Sequence, residues 1–229
     1  MKRSEINRAL KGALDLVKTH GWHLPAWEGW SDEDRRRDPV TAGFLVDHQM
    51  GWDVTDFGLG NFSSCGLTLF CLRNGRAGEP GERTYAEKLL FVGEGQLTPA
   101  HRHKQKTEDI INRGGGILVM ECAPSDEAGR AVDAPVTVLV DGTPHHRDAW
   151  QPIDLLPGQS ITLERGIYHR FYAKPGHGPV LGGEVSEVND DNTDNYFLEE
   201  VGRFAAIEED EAPLRRLWNE ELSRVERGA

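Results

Sequence analysis

The chain of 229 residues has little cysteine, a deficit of basic residues and no long apolar run. Its three cysteines, Cys65, Cys71 and Cys122, are odd in number and lack CxxC spacing. That excludes a disulfide framework and a cysteine-rich zinc site, and it points to a reducing compartment, the cytoplasm. Lys and Arg total 26 against 38 Asp and Glu, a formal net charge of -12. Such a field repels phosphate backbones and anionic headgroups, so nucleic acid and membrane surfaces are excluded as partners. Nowhere does the chain reach the ~20 apolar residues of a membrane span. The N-terminus MKRSEINRALKGALDLVK starts basic, but Arg8, Lys11 and Asp15 interrupt any signal-peptide core.

Two textures are present. Ile6, Ala9, Leu10, Ala13, Leu14 and Val17 recur at helical spacing, with Ser4 placed as an N-cap. Ser31 with Asp34 forms a capping pattern for a second short helix that Pro39 limits. Residues 1–55 therefore read as a mainly helical N-terminal extension. From DFGLGNF onward short β-type runs follow one another: LTLFCLRNG, KLLFVGEGQL, GGILVMEC, PVTVLVDG and SITLERGIYHRFY, divided by Gly and Pro turns. This predicts a mainly β sandwich or jelly roll. Near the end, Leu214, Leu217, Trp218 and Leu222 line one face of a predicted C-terminal helix. With no internal repeat and no low-complexity linker, residues 1–229 are expected to form a single domain.

The densest chemistry lies in PAHRHKQKTEDI, residues 99–110. Alternate residues of a strand share a face, so His101 and His103 point the same way and can chelate one ion. Glu108 lies an odd five residues beyond His103. It joins them only if the chain bends around Gln105 to Thr107. A further ligand must come from a distant strand, and His169 in RGIYHRF is the candidate.

Gly95, His101, His103, Glu108 and Gly115 fill every fixed place of G(X)5HXH(X)4E(X)6G, and the sequence thereby resembles the cupin family. In the family's second motif, G(X)5PXG(X)2H(X)3N, Gly158, Gly166 and His169 match, while Glu164 and Ala173 replace the proline and asparagine. This resemblance implies a double-stranded β-helix, the cupin jelly roll, with three histidines and one glutamate around a divalent metal. A narrower resemblance rests on GWDVTDFG, AEKLLFVGEGQLTPAHRHKQKTEDIINRGGG, GEVSEVNDDNTDNYF and RFAAIEEDE. Together these are similar to the D-lyxose ketol-isomerase family of cupins, which interconverts D-lyxose with D-xylulose and often D-mannose with D-fructose. It implies His101, His103, Glu108 and His169 as ligands, Lys106 beside them as a catalytic group, and a homodimer.

Such a ligand set leaves the cation open positions for neighbouring sugar oxygens and suits Mn2+, while Co2+, Fe2+, Ni2+ or Zn2+ bind comparable sites. Lys106 can act as an ammonium or as a neutral amine. The family resemblance also implies a catalytic glutamate late in the chain; Glu208, Glu209, Glu211, Glu184 and Glu187 are available, and Glu208 after Ile207 is the choice here. A cupin dioxygenase using Fe2+ and a non-catalytic sugar-binding cupin are the competing functions, since fold alone does not choose.

Three other features carry less. Asp190, Asn192 and Asp194 imitate an EF-hand start, but Asn195 and Val201 replace its glycine and final glutamate. His145 and His146 are adjacent, hence on opposite faces of a surface hairpin strand. Trp27, Trp30 and Trp52 are available to pack on a sugar.

Overall fold

The structure is a computed structural model and describes residues 1–190 and 192–220. Helix α1 (Arg3–Thr19), a 3-10 turn (Ala26–Gly29), α2 (Asp32–Arg37) and α3 (Pro39–Asp47) come first. Among the described residues thirteen strands follow: β1 (Gly51–Thr55), β2 (Leu67–Arg73), β3 (Tyr85–Val92), β4 (Thr98–Arg102), β5 (Glu108–Gly115), β6 (Leu118–Ala123), β7 (Val136–Val140), β8 (Thr143–Arg147), β9 (Ile153–Leu155), β10 (Ser160–Leu163), β11 (Tyr168–Ala173), β12 (Val180–Glu187) and β13 (Tyr196–Phe197). They form two antiparallel sheets, ordered β1-β2-β3-β12-β5-β10-β7-β8 and β13-β4-β11-β6-β9. The β-strand texture begins at Gly51, inside the stretch expected to be helical.

The sheets face each other across a core to which Leu69, Leu90 and Ile110 contribute from one side and Met120 and Phe171 from the other. β2 and β3 are apolar on both faces because both are covered. Leu69 and Leu90 point inward, while Phe70, Leu89 and Phe91 meet Ile6, Leu10, Ala13 and Val17 of α1. Each such side chain, when fully buried, contributes roughly 1.5–3 kcal/mol. The periodicity of α1 thus serves to cap the outer face of the larger sheet.

Two details of the N-terminal segment differ in their outcome. Ser31 and Asp34 do form the reciprocal capping box of α2. Ser4, by contrast, lies within α1, whose N-cap is Lys2. Its N–H and hydroxyl donate to the Asp210 carboxylate at 2.8 and 2.7 Å. The tail is strapped across α1 in the same manner, with Arg3 on Glu209 at 2.6 Å and Asn7 on Glu211 at 2.6 Å. Leu214 and Leu217 pack into the α1 cluster. Residues 218–220 are helical, with Trp218 buried edge-on against Phe204, while Leu222 lies outside the described residues.

The cupin glycines mark tight backbone. Gly115 has φ +94°, and a Cβ there would fall 2.3 Å from the Pro179 carbonyl oxygen. Only glycine fits that approach.

Candidate active site and metal centre

One end of the space between the sheets is polar. In the smaller sheet His101 on β4 stands opposite His169 on β11 in register. His103 follows just beyond the end of β4. The chain then turns across to the larger sheet, where Glu108 opens β5. Asp194 holds this turn by accepting the N–H groups of Lys104 and Gln105 at 2.9 and 3.0 Å, and Glu187 accepts that of Thr107 at 2.8 Å. The bend required between His103 and Glu108 is therefore built by side chains 80 to 90 residues away.

His101, His103 and His169 are buried, and one ring nitrogen from each lies within 4.8 Å of the others. Each Nδ1 faces a backbone carbonyl: Pro99 at 2.8 Å, Asp194 at 2.7 Å and Ile167 at 3.3 Å. An N–H donated there leaves Nε2 with a bare lone pair, the tautomer a metal ligand needs. Glu108 Oε1 lies 3.1 Å from His169 Nε2 and 3.4 Å from His103 Nε2, yet among the described residues no well-aligned hydrogen bond reaches it. A buried carboxylate oxygen left so, beside three imidazole nitrogens, fits a divalent cation. The group can hold a metal ion.

Electrostatics supports that fit. Burial, reinforced by His169 and His103, holds the His101 imidazole well below its usual pKa, so it stays neutral. Burial lowers His103 in the same direction, with Lys106 adding to the effect. For Glu108 burial acts to raise the pKa, but the Lys106 charge and the neighbouring histidines outweigh it and keep the carboxyl ionised.

Lys106 is fully enclosed at this site. Its Nζ lies 3.0 Å from Glu108 Oε2, 2.7 Å from Glu184 Oε1 and 3.1 Å from Asn189 Oδ1. Burial alone would discharge it, but two carboxylates raise its pKa above the ordinary lysine value and hold it as an ammonium. Glu184 is itself held below its ordinary pKa, its burial offset by Lys106 and Lys88. The register explains the grouping: Glu184 on β12 pairs with Lys88 on β3, and Ser186 pairs with Glu108 on β5. Lys88 Nζ lies 2.7 Å from Asn189 Oδ1 and 3.4 Å from Glu184 Oε1.

These groups line one pocket together with Phe57, Phe197 and Arg203. Arg203 in turn lies 2.7 Å from the buried Asp53 carboxylate. Glu208, the late-chain carboxylate chosen from the sequence, is not among them. Its side chain is exposed, and its backbone pairs with the N-terminus, the Glu208 N–H donating to Met1 O at 2.9 Å and its carbonyl accepting from Arg3 at 2.8 Å. Glu184 is the late-chain carboxylate that reaches the pocket. Trp27, Trp30 and Trp52 do not line it; Trp52 packs beneath α1 and donates to Glu28 at 2.9 Å. The aromatic walls are phenylalanines. The EF-hand imitation is a brace for His103 through Asp194, and His145 and His146 lie on the β7–β8 hairpin. Lys88, Asn189 and Arg203 had no sequence signal beyond their residue type, because only strand register and the strap bring them here.

The D-lyxose isomerase family model matches residues 1–221. The chain belongs to the D-lyxose isomerase family. A D-lyxose/D-mannose isomerase of Escherichia coli O157:H7 is 45% identical over 222 residues, 96% of this chain and 98% of that one. One from Serratia proteamaculans is 43% identical over 226 residues, 97% and 98% of the two chains. Among solved structures, an L-ribose isomerase of Acinetobacter sp. DL28 in complex with L-ribose superposes with a TM-score of 0.61 at 19% identity, covering 91% of this chain and 98% of that one. An L-ribose isomerase of Cellulomonas parahominis with L-psicose gives 0.59 at 18% over the same shares. These share the fold, a cupin-like jelly roll. As a D-lyxose isomerase family member the protein is an aldose–ketose isomerase, in agreement with a pocket that sets an ion pair of lysine and glutamate beside a metal-ligand cluster. Among the described residues no helix is long and apolar enough to cross a membrane.

Proposed function

We propose that this protein interconverts D-lyxose and D-xylulose, and D-mannose and D-fructose, with one Mn2+ held by His101, His103, Glu108 and His169. The observation that carries this reading is the buried Glu108–Lys106–Glu184 chain next to the three histidines. A divalent cation held there supplies electrophilic stabilisation of the sugar oxygens on the reacting carbons. The net reaction moves one proton from C2 to C1 and one from O2 to O1. Glu184, ionised and lining the pocket, takes the proton from C2, exchanges it with solvent, and delivers a proton to C1. Lys106, held as an ammonium, gives a proton to O1 as negative charge develops there and regains one from O2. Phe57 and Phe197 line the pocket as its apolar walls.

Incubation of Mn2+-loaded protein with D-lyxose in D2O tests the scheme, with D-xylulose and carbon-bound deuterium read by NMR. Ketose carrying deuterium is expected. Absence of ketose overturns the activity, and ketose without deuterium overturns Glu184 as a solvent-exchanging base. We also propose one folded domain, a cytoplasmic location and a homodimer; the open β8 edge of the larger sheet leaves backbone groups for a partner. Light scattering near twice 25.5 kDa is the expected result.

A further inference from the structure

The pocket continues past the histidines toward the apolar core, and one polar atom waits there. Thr98 is buried at the start of β4 and lines the pocket. Among the described residues its Oγ1 has no hydrogen-bond partner. Other buried hydroxyls of this region are satisfied: Thr55 donates to Arg203 O at 2.9 Å, and Ser186 donates to Glu187 O at 2.8 Å. A hydroxyl without a partner in an apolar surround is unfavourable unless something completes it.

Regular alternation would turn Thr98 away from His101, three residues on. The pairing with β11 instead shifts register between them: His101 faces His169 and Thr98 faces Phe171, so two residues on β4, Pro99 and Ala100, oppose one on β11, Arg170. The extra residue of this bulge brings Thr98 onto the face that carries the histidines. Three residues span about 10 Å of strand. Thr98 therefore lies well beyond the ligand cluster, beside Phe171.

We infer that the Thr98 hydroxyl exchanges a hydrogen bond with the D-lyxose hydroxyl farthest from the reacting carbons, and so makes the enzyme recognise the terminal oxygen of that substrate. This rests on the isomerase reading above. With C1 and C2 held at the Glu184–Lys106 end, the rest of the chain runs toward the apolar floor. Thr98 supplies polarity there.

The test compares two sugars on metal-loaded wild type and Thr98→Val, which keeps the β-branched shape and removes only the hydroxyl. KM is measured for D-lyxose, and 5-deoxy-D-lyxose, which lacks the terminal hydroxyl, is read as an inhibition constant against it. Comparing the two enzymes within each sugar cancels the effect of the missing oxygen in solution. Thr98→Val is expected to raise KM for D-lyxose about tenfold, the upper range for one neutral hydrogen bond. It should leave kcat and metal content in place and leave the inhibition constant of the deoxy sugar unchanged. Thr98→Ser should restore the D-lyxose KM. Equal losses on both sugars, or no loss on either, overturn the inference while leaving isomerisation standing. A wild type that makes no ketose from D-lyxose overturns the underlying reading instead.

Discussion

Strand β5 carries two buried polar side chains on one inward row, and they are opposite in kind. Asn112 is complete: its amide donates to Gly116 O and Leu155 O, both at 2.9 Å, and its carbonyl oxygen accepts the Gly114 N–H at 3.0 Å. Glu108, four residues earlier, leaves Oε1 without a hydrogen bond and gives Oε2 to a buried ammonium. Ile110 separates them. Burial and polarity are shared, so neither property alone marks a functional residue. What distinguishes the two is whether the fold itself finishes the hydrogen bonding, as it does at the Asn112 end, or leaves lone pairs converging on a point, as it does at the Glu108 end.

The largest expected effect breaks the Glu108 end outright. His169→Ala and Glu108→Gln each remove a donor from the convergent set, and both proteins should emerge from Mn2+ loading and desalting with little metal and activity at background. Elemental analysis beside the D-lyxose assay checks this. Retention of full metal content by His169→Ala would take that histidine out of the ligand set.

Next in size come variants that leave the ligands and remove the adjoining charges. Glu184→Gln and Lys106→Met should bind metal yet lose about 10²–10⁴-fold in kcat, the range of a general acid–base group. Loss of metal together with activity would reduce both to supports for Glu108. Turnover within about threefold of the parent, far under that range, would place the carbon-proton transfer elsewhere.

The other end of β5 should respond in stability alone. Asn112→Ala strands two carbonyls and one N–H in the core, at a cost of about 1–3 kcal/mol for each group left unsatisfied. A lower denaturation midpoint with unchanged metal content and kcat at a permissive temperature is expected. If kcat fell with stability intact, the division between the two ends would be false.

The same contrast explains what could be read from the chain beforehand. His101 and His103 are legible because strand alternation is local, and the β runs because both periodicity and turn residues are local. The helical face of α1 is legible for the same reason. Glu108 required a bend, and Asp194 builds it from far along the chain. Choosing Glu184 over Glu208 required the register of β12 against β3 and β5, which no spacing encodes. Thr98 was hidden by a bulge, since alternation assigns it to the wrong face. Ser4 looked like a cap because its alternative partner, Asp210, lies 206 residues away. Local pattern thus reveals which elements form and which side chains share a strand face, while the companions of a site depend on which strands become neighbours.

The smallest expected effect concerns Glu208, which tests the comparison from outside the pocket. Its side chain is exposed, and what it contributes is backbone: its N–H and carbonyl stitch the tail to Met1 and Arg3. Glu208→Gln keeps both of those bonds. The variant should therefore hold its metal, stay within ~0.5 kcal/mol of the parent in stability and within about twofold in kcat, as for an ordinary surface change. Measured beside Glu184→Gln, it decides between two carboxylates that sequence order alone left open. Adding Glu208→Gln to Glu184→Gln should leave the activity of the single Glu184→Gln variant unchanged. A hundredfold loss in Glu208→Gln with metal retained would mean that the tail reaches the sugar during turnover, and Glu184 would then be a partner of Lys106 and not the base.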